Sequence, residues 1–304
     1  MKVSLNATLT IYWYELCASS CRRLVFLTAA PVTRPESWSS ITGLLATGNV
    51  MFGSDQQEMQ DGWNARAARN PFFYVESTYW NGNIDDFFER GEETARLLID
   101  RFRRTYGPGK ELALDLGCGL GRFSRALARR FSRVIAVDIS DEMISSAKHL
   151  HLWPTFDNIA FQTNDGLHLA MPESTFDFAW SYEVLQHAPN HEIIRANIAE
   201  IARVLRPGGL AAIHLKTGYQ RPAIHAILRK LPEWAVRLVT RIARQDALMA
   251  DKTFRGPPPL NPEQIEVMLT SSGLTLLELV ADPTHSPGTR TFAIASKGER
   301  PSTF

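Results

Sequence analysis

Leu112-Ala-Leu-Asp115-Leu-Gly117-Cys-Gly119-Leu-Gly121-Arg-Phe-Ser124, followed by Val134-Ile-Ala-Val-Asp138-Ile-Ser140, decides the fold. Two apolar runs of strand length flank a glycine turn and a helix-forming stretch, and the second run ends in an acid. That order is the ligand-cradling half of a doubly wound α/β sheet. Gly117, Gly119 and Gly121 allow a tight turn and a close approach of backbone to ligand that a Cβ would obstruct. Asp138 follows Gly117 by 21 residues, where a strand-end carboxylate can accept both hydroxyls of a ribose.

Asp115 bears on which nucleoside is held. A carboxylate two residues before the first glycine repels a pyrophosphate at short range, which disfavours a dinucleotide. S-Adenosylmethionine carries no phosphate; its sulfonium and ammonium are attracted by a carboxylate. The spacing Gly-x-Gly-x-Gly, with Arg122 in the sixth place, also departs from Gly-x-Gly-x-x-Gly.

Three further segments stand in order after Leu114–Gly121: Val137-Asp-Ile-Ser140, Phe176-Asp-Phe-Ala-Trp-Ser-Tyr-Glu-Val-Leu-Gln-His187 and Val204-Leu-Arg-Pro-Gly-Gly209. With them, residues 109–216 and the end of the chain resemble the class I S-adenosylmethionine-dependent methyltransferases of small-molecule type. The resemblance implies a Rossmann-like, doubly wound seven-stranded sheet with a reversed last strand. Leu274–Val280 and Thr289–Ser296 are expected to supply the closing hairpin, with strand three at Asn158–Gln162 and strand five at Leu210–Leu215. It further implies a cofactor site of Asp115, Gly117, Cys118, Gly119 and Gly121, then Asp138 and Ile139. Asp165 would take the adenine amino group, beside Gly166, with Tyr182 and Glu183 at the exit of strand four. Met143 either lines the adenine or packs in the core.

At 304 residues and 44% hydrophobic content the chain can bury one substantial core. Residues 51–304 are expected to form a single methyltransferase domain: an N-terminal helical cap over 61–108, a cofactor-binding core over 109–217, a helical lid insertion over 218–260, and a C-terminal helix with closing strands over 261–304. Residues 1–50, Thr/Ser/Pro-rich between Thr28 and Thr42, lack a sustained period and are expected to be a disordered or dispensable extension, Met51 being an alternative start. Glu15, Arg22 and Arg23 interrupt every apolar run there, well short of the ~18 residues of a membrane span, and the arginines fall where the core of a secretory signal belongs. A net charge of +1 offers no global field for nucleic acid or an anionic membrane. Cys17, Cys21 and Cys118 suit a reducing, cytoplasmic setting, and no metal site is expected from them.

In the cap, Asp85 to Tyr106 predicts one amphipathic helix with Phe88, Thr94, Leu97, Leu98 and Phe102 as its buried stripe. Trp63, Tyr74 and Tyr79 either close over ligand or simply pack. His187 lies beside the place of methyl transfer and is the candidate catalytic base; a brace for the loop is its other reading. The Asp/Asn-Pro-Pro-Tyr/Phe run of adenine and amide-nitrogen enzymes is absent after strand four, and no cysteine follows a proline as in cytosine-C5 enzymes, which makes nucleic acid an improbable substrate. Tyr219 to Arg255 holds eight basic residues against three acidic ones on a helical apolar period. Arg237 and Arg241 in that lid point to an anionic or amphipathic small-molecule acceptor. His285 and Arg290 fall in the hairpin loop without a decisive role. The expected function is methyl transfer from S-adenosylmethionine to an oxygen, nitrogen or carbon of a small molecule. An NAD(P)-dependent oxidoreductase and a non-catalytic S-adenosylmethionine-binding regulator are the alternatives.

Overall fold

Strict side-chain alternation sorts the central strands between two apolar layers, as a sheet covered on both faces requires. In β1 (Leu112–Leu116), Leu114 and Leu116 enter one core and Ala113 the other. In the computed structural model, β2 (Arg133–Asp138), β3 (Ile159–Thr163), β4 (Phe176–Ser181), β5 (Leu205–Lys216), β6 (Leu274–Ala281) and β7 (Arg290–Lys297) complete a seven-stranded sheet in the order β3-β2-β1-β4-β5-β7-β6. The first five strands are parallel, and β7 runs antiparallel to both β5 and β6. The expected Rossmann-like sheet with its reversed last strand is therefore present. β5 begins earlier than its apolar run, because a register shift between Phe176 and Phe178 lets Leu205 pair before the Gly208-Gly209 step.

The structure describes residues 54–151, 156–218, 230–232, 234–236 and 252–298. The chain divides into units Met1–Val50 and Met51–Phe304, and all described residues belong to the second. The expectations for residues 1–50, for Arg237 and Arg241, and for most of the 218–260 lid lie outside the described residues.

Helices α1 (Ser54–Arg69), α2 (Pro71–Val75), α3 (Ile84–Leu97) and α4 (Ile99–Tyr106) precede the sheet. Helices α5 (Arg122–Ala128), α6 (Asp141–Leu150) and α7 (His191–Val204) connect the parallel strands, and α8 (Lys252–Arg255) and α9 (Pro262–Ser271) follow β5. Asn261 and Gln264 close a reciprocal capping box around Pro262, which sharply fixes the start of α9.

The single helix expected over Asp85–Tyr106 is two, α3 and α4, which meet at Leu98 (φ −106°, ψ −61°). The buried stripe nevertheless runs on in one phase through Phe88, Gly91, Ala95, Leu98 and Phe102, so of the expected residues Phe88, Leu98 and Phe102 are buried, whereas Leu97 is 59% exposed and Thr94 only half-buried.

Two glycines bracket the segment that runs from the end of β5 through α8. A Cβ on Gly218 would overlap the Gly288 carbonyl oxygen, and one on Gly256, at φ +62°, would overlap that of Gln186. Backbone there meets backbone.

Candidate active site

The turn after β1 is set by its own backbone. Gly117 and Cys118 both donate to the Val137 carbonyl, at 2.7 and 2.9 Å, which ties the turn to the end of β2. Gly117 adopts φ +75°, and a Cβ there would overlap the Val184 side chain, so this glycine is required both by conformation and by the approach of the β4 exit loop. Asp138 braces the other side of the turn. Its Oδ2 accepts from the Gly119 amide at 2.8 Å and its Oδ1 from Ser140 at 2.9 Å, while burial raises its pKa against those bonds. Each carboxyl oxygen keeps a lone pair for a further donor.

A cavity of about 910 Å3 opens over this turn, within the size range of small-molecule sites. Gly117, Cys118, Gly119 and Asp138 line it, followed by Ile139, Met143 and Gly166. Tyr182, Glu183 and His187 line its far side, and the cap contributes Trp63, Tyr74 and Tyr79. The structure thus gathers most of the expected site residues around one space. A Cβ on Gly166 would come within 2.7 Å of Ile139 and 2.9 Å of Met59, so Gly166 permits close packing at the end of β3.

Three expected residues face elsewhere. Asp115 is buried, takes a 2.6 Å hydrogen bond from the Ser124 hydroxyl and does not line the cavity. Burial pushes its pKa up to about 7 against that bond. Asp165 turns into its own loop, accepting from the Leu167 and His168 amides at 2.8 and 2.6 Å and pairing with His168 Nδ1 at 2.8 Å. Although burial opposes it, the bonds from His168 and Leu167 hold its carboxyl below the usual range, and Asn164 and Gly166 reach the cavity in its place. Gly121 opens α5 at φ +79° beside His151, likewise away from the lining. Cys118 is free and buried, and burial raises its thiol well above the ordinary value, which makes it inert as a nucleophile.

The cap is fastened to the glycine turn by a buried ion triad. Arg122, first residue of α5, reaches Glu76 Oε1 at 2.6 Å, and Arg90 of α3 reaches Glu76 Oε2 at 2.9 Å. Nothing in the local pattern of the sequence marks this contact.

His187 is engaged at both ring nitrogens. Its Nδ1 donates to the Phe254 carbonyl of α8, and its Nε2 lies 3.1 Å from the Gln186 amide nitrogen. Burial lowers its pKa to about 4, so the ring is neutral at pH 7. It packs edge-on to Trp63 at 5.3 Å and against Phe254 at 4.7 Å. This geometry is that of a brace between the β4 loop and α8.

The charged network lies instead around His285. Its Nδ1 is 2.8 Å from Asp282 Oδ2 and its Nε2 is 2.9 Å from Glu183 Oε1, so both nitrogens carry protons between two carboxylates. Burial opposes the charge, but the bonds to Asp282 and Glu183 outweigh it and raise His285 to about 9. Despite its burial, Glu183 is held low, to about 2, chiefly by His285. Glu183 also sits at φ +58°, a costly backbone for a non-glycine residue, and its amide donates to His214 Nδ1 at 3.2 Å. His214 Nε2 therefore carries the proton toward Asp282 Oδ2, 3.1 Å away. Tyr182 stacks on His214 and directs its hydroxyl to Asp282 Oδ2 at 3.2 Å.

His214, Asp282 and His285 present three donor atoms within 4.8 Å, close enough to hold a metal ion. Asp282 Oδ2 already faces three protons, however, and its Oδ1 accepts from the Thr284 amide and hydroxyl, both at 2.8 Å. Hydrogen bonds from His285, Tyr182 and Thr284 hold Asp282, while His214 Nε2 lies at ion-pair distance from it without hydrogen-bond geometry.

Residues 114–213 match the family model described as a methyltransferase domain. Among curated proteins, the chain is 31% identical over 139 residues to methyltransferase GfsG of Streptomyces halstedii, covering 44% of this chain and 48% of that protein. It is 30% identical over 155 residues to trans-aconitate 2-methyltransferase of Azoarcus sp., covering 50% and 57% respectively. The matched region thus spans about half the length of these relatives. The crystal structure of magnesium protoporphyrin IX methyltransferase from Synechocystis is similar in fold, with TM-score 0.53 at 17% identity over 80% of this chain and all of that one.

Proposed function

We infer that this chain, which carries a class I S-adenosylmethionine-dependent methyltransferase domain over residues 114–213, transfers a methyl group from S-adenosylmethionine to a small molecule. The observation that carries the inference is the continuity of one cavity from Asp138 and the glycine turn to Glu183, His285 and the aromatic cap.

The residues present fit the methyl donor. Asp138 keeps acceptor capacity for a ribose diol; Ile139 and Met143 offer apolar contact to a purine; Asn164 and Gly166 supply polar edge groups. When bound, S-adenosylmethionine supplies an electrophilic methyl on sulfur. The chain's own part is alignment and exclusion of water, which dominate an in-line displacement. Trp63, Tyr74 and Phe254 close the wall beside His187. Neither His187, engaged at both nitrogens, nor His285, protonated between carboxylates, is a resting general base. Among the described residues the ionised carboxylate of Glu183 is the remaining acceptor of a proton on this wall.

The finer parts of the reading rest on composition. Arg237 and Arg241 favour an anionic or amphipathic acceptor. Cys118, free and buried in the turn, suits a reducing cytoplasm. No described helix is long and apolar enough to cross a membrane.

The test is calorimetric titration of the full chain with S-adenosylmethionine and with NADH, followed by transfer of labelled methyl to a pooled metabolite extract. Binding of S-adenosylmethionine alone, with label transferred, is the expected result. Binding of NADH alone would return the oxidoreductase reading, and donor binding without transfer the non-catalytic one.

A further inference from the structure

The cavity contains two kinds of arginine. Arg90 and Arg122, under the cap, share an ion pair with Glu76. Arg255 and Arg290 line the same cavity at the acceptor side and form no ion pair among the described residues. The Nε of each is buried without a hydrogen-bond partner, as is that of Arg122, and the one hydrogen bond of the Arg290 side chain among the described residues runs from Nη1 to the Thr289 carbonyl. The acids nearest to Arg290 in charge are Glu183 and Asp282, and both are committed to His285.

Lys216 ties the two arginines to one wall. It lies opposite Arg290 in the β5–β7 ladder, and its ammonium donates to the Arg255 carbonyl at 2.9 Å. A polar atom buried without a partner is costly and is rarely left so unless a ligand or water supplies the missing group. The guanidinium fork matches a planar carboxylate bidentately. A doubly charged phosphate fits less well, since Glu183 is ionised on the same wall. Beside it, Trp63, His187 and Phe254 present ring faces and edges within 6.0 Å of one another, a surface for an apolar or aromatic body.

We propose that Arg255 and Arg290 form a carboxylate-receiving subsite, and that the methyl acceptor is an aromatic or otherwise apolar carboxylate. This rests on the methyltransferase reading and names its substrate class.

The test uses the full chain saturated with S-adenosylhomocysteine and titrated with cinnamate, cinnamamide and inorganic phosphate, read by calorimetry and by tryptophan fluorescence. Cinnamate should bind, and the amide should bind at least about tenfold more weakly, the loss expected for a charge-assisted bidentate pair. R290Q and R255Q should each weaken cinnamate by about tenfold or more, with S-adenosylhomocysteine affinity unchanged within about twofold. R290K retains the charge without the fork and should fall between wild type and R290Q, which also guards against a folding defect in the glutamine variant. Equal binding of acid and amide, no cinnamate binding to the loaded protein, or phosphate binding as tightly as cinnamate would each overturn the proposal. Failure to bind S-adenosylhomocysteine would instead sink the methyltransferase reading, independently of the arginines.

Discussion

Around Asp138 the contacts that shape the cavity join neighbours in sequence: the carboxylate holds Gly119 and Ser140, 19 and 2 residues away. Around His285 they join strangers: its partner Glu183 is 102 residues off, and Tyr182 is 100 residues from Asp282. The first region is positioned by backbone conformation, the second by a balance of charges among β4, β5 and the β6–β7 loop. The first should therefore fail sterically and abruptly, and the second should fail with pH.

The sharpest break is expected from Gly117→Ala, which places a β-carbon at φ +75° against Val184. Left-handed strain and overpacking together should remove about 2–5 kcal/mol of stability, measured by urea unfolding. Adding Val184→Ala should return only the packing share; full recovery would show that the glycine's φ is irrelevant. Next comes Asp138→Ala, which should weaken S-adenosylmethionine by roughly 2–4 kcal/mol in a folded protein, since charge-assisted bonds to a ribose would be lost. Unchanged affinity by calorimetry would remove the donor from this end of the cavity.

At the other end the sign follows from His285, whose pKa rises from 6.5 to about 9 on folding. A raised pKa stabilises the native state fully below 6.5, and this share, on the order of 2–3 kcal/mol, should be lost as pH climbs through about 9. Unfolding free energies for wild type and His285→Gln should therefore converge between pH 6.5 and 9.5. Parallel curves would deny that His285 is charged in the folded state. A smaller effect is expected from His187→Gln: as a brace it should cost less than about tenfold in kcat, whereas loss of a general base costs about 10²–10⁴-fold. The smallest is removal of residues 1–50, which should leave the melting temperature of the remainder within about a degree if that stretch adds nothing to the core.

This contrast also explains what could be read in advance. Gly117, Gly119 and Asp138 announce their roles because each acts through its own backbone or a near neighbour, and strands β1, β2 and β4 announce themselves as mostly apolar runs of strand length, β1 and β4 each interrupted by one aspartate. Asp115 misled because position in a motif does not reveal which way a side chain turns; Ser124 takes it inward. His285 and Arg290 were visible in the hairpin loop, yet their meaning depends on Glu183 and His214, which only the closed sheet brings within reach. The break at Leu98 is hidden because the apolar period of Phe88, Gly91, Ala95, Leu98 and Phe102 continues unchanged across it.

The glycine contacts at Gly218 and Gly256 have an evolutionary reading. Both ends of the stretch from Gly218 to Gly256 pass points where backbone lies on backbone, so the ends themselves make no side-chain demand on the residues between. Apart from the α8 contacts of Phe254 and Arg255, that stretch is a candidate cassette, whose length and chemistry can change while the donor end stays fixed. Exchanging the stretch between these two glycines among relatives should move acceptor choice without disturbing the donor, provided both glycines travel with the graft.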